Sequence, residues 1–576
     1  INGTASAITT LIGNEGTSGD KVALDTDFAM TVSDGTATVI QANTMAAFTT
    51  SGVITTTISN TDIADLDDLT TSSADQLTVT VASTSATAAQ LTTVAGATGL
   101  NVTATAVETV NNSSVAQVIA LIAAEGSSGD KINLDGDFTV AINDTGTVSA
   151  GDLNTINAAT SGLVTATGVA TINGTATSLT TLITNEGDSG DKVNLDGDFA
   201  VTVSNGTTTA AQLNTINAKT TSLVTATSVA TVSGSVSDLL ILIPNEGTSG
   251  DKVDLKADVA ITVTDTGSVA ATNLTTISGV TTGTVDASNV SILTGFAGDI
   301  NIVYGDSGIS GLGDEGVTLS DTTLASSVLN DLNGNTTGII NAASVTTLTG
   351  TASAVNTTYA NLGSVGVGLG VQISNLGDEI VTLSDVTAQA SELVTLDGNT
   401  TGVINTTDVQ TIEGSISDLG SIYTSSGFSN LGNETITVSD TGTVDAANLT
   451  TVNSYTSGLV TAAGVATING TSSAILTLLS NEGTSGDKVA LDTDFAMTVS
   501  DGTATVDQAN TMAAFSTSGA ITATISNGDI ADLDDLSTSN SDQLTITVTS
   551  TSATASQLTT VAGATGLNVT ATAVET

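Results

Sequence analysis

The sequence predicts a mainly β repeat fold with short helices: a β-solenoid of parallel strands, wound in α/β-type coils of about 24 and about 36 residues. Three observations point there. The chain repeats itself at three scales, its apolar content is aliphatic rather than aromatic, and it holds one proline, Pro244, in 576 residues.

The repeats come first, because a missed period misreads the whole fold. Ile1 to Thr109 returns as Ile468 to Thr576 with fifteen substitutions and no gap. A middle period of about 60 residues, the spacing of an array unit, is marked by an apolar residue, a polar one and glycine, as in Ile172-Asn173-Gly174 and Ile412-Glu413-Gly414. The shortest period is about 24 residues, the size of one solenoid coil: Phe28, Gly52, Gln76 and Leu100 each open a strand-like run. These periods divide the chain into a first block at 1–109, the longer units with SGDK loops at 110–292, units of LGDE and VTLSD type at 293–467, and a second copy of the block at 468–576.

Within a coil the elements follow from spacing. Runs such as FAVTVSN (199–205) alternate apolar and polar residues with period two and are rich in β-branched side chains, which suits a half-buried strand. Ala88, Leu91 and Val94 fall at i, i+3 and i+6 and share one helical face, with Thr87 placed to cap the exposed N–H groups. Gly99, Gly162 and Gly458 are expected to end such helices and let the chain reverse. A strand this short needs a parallel neighbour from the next coil, and the scarcity of proline leaves every interior strand its N–H donors. The longer coils are expected to insert a second helix, as at 175–187. The competing geometry is a string of small tandem β-sandwich modules, which has little use for A-x-x-L-x-x-I helices.

Composition narrows the function. Apolar residues make up 39% of the chain but aromatics only 2%, so the core must be thin layers of Val, Ile, Leu and Ala. There are 58 acidic residues against 7 lysines and no arginine, a net charge of −51. Such a surface repels nucleic-acid phosphates and anionic lipid head groups. No apolar run approaches the length that spans a bilayer, so no membrane insertion is expected. The absence of His and Cys removes the usual bases and nucleophiles, the serines have no activating partner, and the GVGLG run at 366–370 lacks the Lys-Ser/Thr of a phosphate loop. The chain reads as no enzyme.

One local motif stands out: N-E-G-x-S-G-D-K-[VI]-x-L-[DK]-x-D at 14–27, 185–198, 245–258 and 481–494, with a variant at 124–137. It carries five of the seven lysines. Its carboxylates read as a calcium site of hard oxygen ligands: Glu15, Asp20, Asp25 and Asp27, then Asp135 and Asp137, then Glu186, Asp191, Asp196 and Asp198, then Glu482, Asp487, Asp492 and Asp494. The alternative is a structural turn whose lysine pairs with a neighbouring carboxylate and whose aspartates cap and solvate it. A second acidic cluster, Asp62, Asp65, Asp67 and Asp68 in DIADLDDL, reads as a solvated face over buried Ile63, Leu66 and Leu69, with a cation site as the alternative. Neither matches an EF-hand loop or a glycine-aspartate nonapeptide.

At 311–360 the text GLGDEGVTLSDTTLASSVLNDLNGNTTGIINAASVTTLTGTASAVNTTYA, with NLGDEIVTLSD at 375–385, resembles the repeats of giant cell-surface proteins of marine unicellular cyanobacteria, one of which is associated with swimming without flagella. The resemblance covers about 290–470. It implies an extracellular, cell-surface location, an array much longer than 576 residues and calcium-rich water as solvent. The expectation is therefore a structural rod or fibre whose partner is further copies of itself, with an adhesin stalk or a calcium-binding matrix protein as alternatives.

Overall fold

Short strands and short helices alternate along the chain because V-T-V runs alternate with A-x-x-L-x-x-I runs. In a computed structural model, residues 1–204, 206–363, 372–500, 502–516 and 518–575 are described; the GVGLG run lies outside them. The strand Ala200–Val203 buries Val201 and Val203 and turns Thr202 outward. Helix Ala88–Gly96 buries Ala88, Leu91 and Val94, and Thr87 and Gln90 close a reciprocal capping box at its start. Each such cap is worth about 1 kcal/mol, and it recurs at Thr38, Ser114, Thr209, Thr505 and Thr554.

The residues group into two units. One comprises Ile1–Gly267, Asn273–Val290 and Ser307–Gly311; the other comprises Ser268–Thr272, Ser291–Asp306 and Leu312–Thr576. Each is a parallel β-solenoid. In the second unit Ile373–Ser374, Ile380–Leu383 and Thr387–Gln389 follow one another through short turns, each strand belonging to a different sheet. Helix Ala390–Asn399 then brings the chain back to Ile404–Asn405, which pairs in parallel with Ile380–Leu383. Thr411–Gly414 pairs with Thr387–Gln389, and helix Ile416–Thr424 returns the chain again, so that Phe428–Ser429 lies beside Ile404–Asn405. Three strands, a helix, two strands, a helix: this succession is the middle repeat. The first unit has the same order at Val193–Asn194, Ala200–Val203, Gly206–Thr209, helix Ala210–Asn217, Val224–Ala226, Val229–Gly234 and helix Val236–Leu242. The parallel ladder replaces the sandwich alternative, whose pairing would be antiparallel.

Register fixes the coil lengths. Thr387 lies beside Thr411 and Thr411 beside Thr435, two equal steps. Thr411 and Thr435 are separated by 24 in sequence, the short period expected. The longer step, from Thr171 to Ala200 and from Thr467 to Ala496, adds five residues to the short one and falls below the long coil expected. The step from Thr109 to Thr139 is one residue greater again, and that from Thr347 to Ile380 is greater still. The expected second helix is not what lengthens it. Helix Ala176–Thr184 is followed by an eight-residue loop, 185–192, before Val193–Asn194. Helix Ile416–Thr424 needs only the three residues 425–427 before Phe428–Ser429. The SGDK loop is the five-residue difference.

The core is a column of like residues. Ile172, Val201, Val224 and Val253 lie in register on successive rungs, each 1% exposed or less. Consecutive helices are tied by asparagines: Asn154, Asn214, Asn330 and Asn356 each donate from Nδ2 to a carbonyl of the next coil's helix, at 2.8–3.0 Å. The turn glycines have a different cause from the one expected. Gly162 and Gly458 lie where the backbone passes over the coil before, and a Cβ there would come within 2.4 Å of the Asp137 carbonyl and 2.3 Å of the Glu434 carbonyl. Close approach, not a left-handed backbone, demands glycine.

Candidate functional site

The SGDK loops leave helix ends. In each, the lysine ammonium donates to a carbonyl eight residues back, in or beside the last turn of the preceding helix: Lys21 to Gly13 (3.2 Å), Lys131 to Ala123 (2.8 Å), Lys192 to Thr184 (3.4 Å), Lys252 to Pro244 (2.8 Å) and Lys488 to Ser480 (3.4 Å). The C-terminal carbonyls of a helix carry partial negative charge and lack intrahelical donors, so a cation there is favourable. The motif's glycine makes room for the lysine stem: a Cβ at Gly16, Gly126, Gly187, Gly247 or Gly483 would come within 2.8–3.1 Å of the lysine Cγ. The loop is closed by Gly16 N–H donating to Val22 O and Val22 N–H to Asn14 O. The lysines thus cap helices instead of pairing with neighbouring carboxylates. The two ion pairs among the described residues use the other lysines: Lys219 with Glu186 (3.6 Å) and Lys256 with Asp258 (3.0 Å). The Lys256 hydrogen bond holds the Asp258 carboxyl below the usual carboxylate range.

The loop carboxylates do not assemble into a shared cage. Among the described residues no group of three or more acidic side chains comes together to hold a metal ion. Glu15, Glu186 and Glu482 are half-buried, whereas Asp20, Asp25, Asp27, Asp135, Asp137, Asp191, Asp196, Asp198, Asp487, Asp492 and Asp494 are exposed. Asp25, Asp135, Asp196 and Asp492 each accept from the backbone N–H of the next residue at 2.7–2.8 Å, which organises the following turn. Asp191 and Asp487 instead accept from Asn157 and Asn453 of the preceding coil, at 3.3 and 3.0 Å. In DIADLDDL, Ile63, Leu66 and Leu69 are buried, as the spacing predicts. Asp62 caps the helix and accepts from Ser83, Asp65 accepts from Asn60 and Asp67 from Gln90.

Two polar features escaped sequence reasoning. The first is a set of buried carboxylates. Glu315, Glu379 and Glu434 are each 3% exposed. The hydroxyls of Tyr304, Tyr359 and Tyr423 donate to them. Backbone N–H groups of the LGDE turn, LGNE at Glu434, supply the rest, Gly313 and Asp314 reaching Glu315 at 2.8 and 3.2 Å. Burial first, then the adjoining carboxylate, raises each tyrosine above its ordinary 10.0, so all three stay protonated. The pairing was illegible because Tyr and Glu stand eleven residues apart twice and twenty apart once. The second feature is Asp75 and its copy Asp542, buried and accepting from Ile54 and Ile521 N–H at 2.8 Å, where each caps a strand of the coil before. No described helix is long and apolar enough to cross a membrane. Compared with known proteins, the chain matches no family model, no curated sequence and no solved structure.

Proposed function

We propose that this chain is a non-enzymatic structural protein: a stretch of extracellular repeat array whose coils stack into a rod or fibre at the cell surface, with further copies of itself as partner. The in-register ladder carries this reading. Val489 pairs with Val460 of the preceding coil and is fully buried. Ile468 lies between Val444 of the coil before and Met497 of the coil after and is fully buried. A coil's interior is completed by its neighbour, so units gain stability from being strung together, the behaviour of quasi-one-dimensional repeat proteins.

The polar groups support the same reading. Lysines cap helices, asparagines tie coil to coil and buried glutamates close turns. The charge of −51 keeps nucleic acid and anionic membranes at a distance. The resemblance of 290–470 to cyanobacterial surface proteins supports the location. An adhesin stalk is the second reading, since a stalk and a fibre share this physics and differ in self-association. Electron microscopy of the purified chain across a concentration series tests the two. Filaments built of stacked copies are expected; isolated particles at every concentration would favour the stalk.

A further inference from the structure

One cleft recurs between the end of a helix and the SGDK loop of the next coil. The eighth residue of helices Ala150–Ala159, Ala210–Asn217 and Ala446–Asn453 is Asn157, Asn217 and Asn453, each 7–8% exposed. The Oδ1 of all three is buried with no hydrogen-bond donor. Where Asn157 and Asn453 direct Nδ2 is settled: both donate to the loop aspartate, Asp191 or Asp487, at 3.3 and 3.0 Å. One amide hydrogen of each is therefore committed and the oxygen faces no protein donor. Two of these places form clefts of about 330 and 410 Å³, the first lined by Asn157, Asn185 and Asp191, the second by Asn217, Asn245, Asp251 and Lys219, whose ammonium pairs with Glu186 at 3.6 Å. In the second, Asn214 adds another buried oxygen without a donor.

A buried carbonyl oxygen left unserved keeps its full desolvation cost, and the same cost at three coils calls for a common ligand. That ligand must approach oxygens, because each cleft offers an amide oxygen beside a carboxylate and its nearest lysine is held at a helix end or by Glu186. We infer that each of the three places holds a partly hydrated divalent cation between the asparagine oxygen and the aspartate carboxylate. Amide and carboxylate oxygens are the hard donors calcium takes, and the net charge of −51 concentrates cations at the surface. With so few protein ligands, the affinity belongs to the weak range of about 10⁻⁴–10⁻³ M typical of extracellular calcium modules. The chain contains its own control: Ala88–Gly96, the helix one coil before the helix that leads into the Asp130 loop, has Ala95 at the eighth position. This inference is independent of the array reading.

Equilibrium dialysis of the full chain against radiolabelled calcium tests it. Three saturable sites per chain are expected above a diffuse background. The combined variant Asp191→Asn, Asp251→Asn, Asp487→Asn should abolish them, and Asp27→Asn, Asp137→Asn, Asp198→Asn, with the same charge change, should keep them. Asn157→Leu, Asn217→Leu, Asn453→Leu leaves the charge untouched and should also abolish them. Equal losses in the two aspartate variants would reduce the binding to diffuse charge, and three sites surviving in the leucine variant would assign the amide oxygens to water; either overturns the proposal. Should the leucine variant fail to fold, the aspartate pair decides.

Discussion

The five motif lysines show how one residue type is read correctly and its partner wrongly. Their recurrence beside glycine and aspartate was plain in the sequence, but the partner is a helix-end carbonyl eight residues back, visible only once the helix is known to stop there. Replacing Lys252 by Met should cost about 0.3–1 kcal/mol, the usual worth of a cation at a helix C-terminus. It should be read locally, as faster amide exchange at Gly247, whose N–H bonds to Val253 across the loop. The Tyr–Glu pairs give the molecule an alkaline limit. A tyrosine whose folded pKa is raised holds its proton above pH 10 while the unfolded chain releases it, so the unfolded state binds fewer protons there and stability falls as pH rises. Below the ordinary value of 10.0 the contribution is complete. Urea melts between pH 8 and 11 should show this fall, and a Tyr304→Phe, Tyr359→Phe, Tyr423→Phe variant should start less stable at pH 8 and lose the slope.

Elements were the most legible scale. The A-x-x-L-x-x-I spacing located the helices and their threonine caps, because a three-residue stride on a short segment admits one buried face. The V-T-V runs located strands but not how many a coil holds. A coil with three strands and a coil with two have the same alternation, and only the turns between strands, such as 375–379, separate them. The short step was legible and the long step was overread, since the glycine-rich loop gives no periodic signal. Glycine substitutions test the packing account. Gly402→Ala would push a Cβ to 2.0 Å from the Glu379 carbonyl oxygen. Backbone cannot yield as a side chain can, so the expected cost is about 1–3 kcal/mol or more. Gly398→Ala, four residues away in helix Ala390–Asn399 with nothing within 4 Å, should be neutral or gain up to about 1 kcal/mol from helix propensity. Denaturant midpoints of the two variants make the comparison.

At the scale of the molecule the charge and the ladder oppose each other. Five of seven lysines are spent on carbonyls, so most of the 58 carboxylates lie without a cationic partner. The melting temperature should therefore climb as sodium chloride is raised from about 0.01 to 0.15 M, because the screening length shrinks from roughly 30 to 8 Å; a temperature that falls with salt would contradict this. What holds the charge together is the parallel register, and the chain's lack of cysteine makes that register directly testable. Thr411 and Thr435 face each other on adjacent rungs with their hydroxyls 2.8 Å apart and accessible. Thr411→Cys with Thr435→Cys should close an intrachain disulfide under mild oxidation, since facing residues fall within the Cα separation a disulfide tolerates. Thr411→Cys with Ile436→Cys, one residue out of register and turned inward, should not. A bridge in the first pair alone is the predicted result; no bridge there, or equal bridging in both, would contradict the stacked parallel coil.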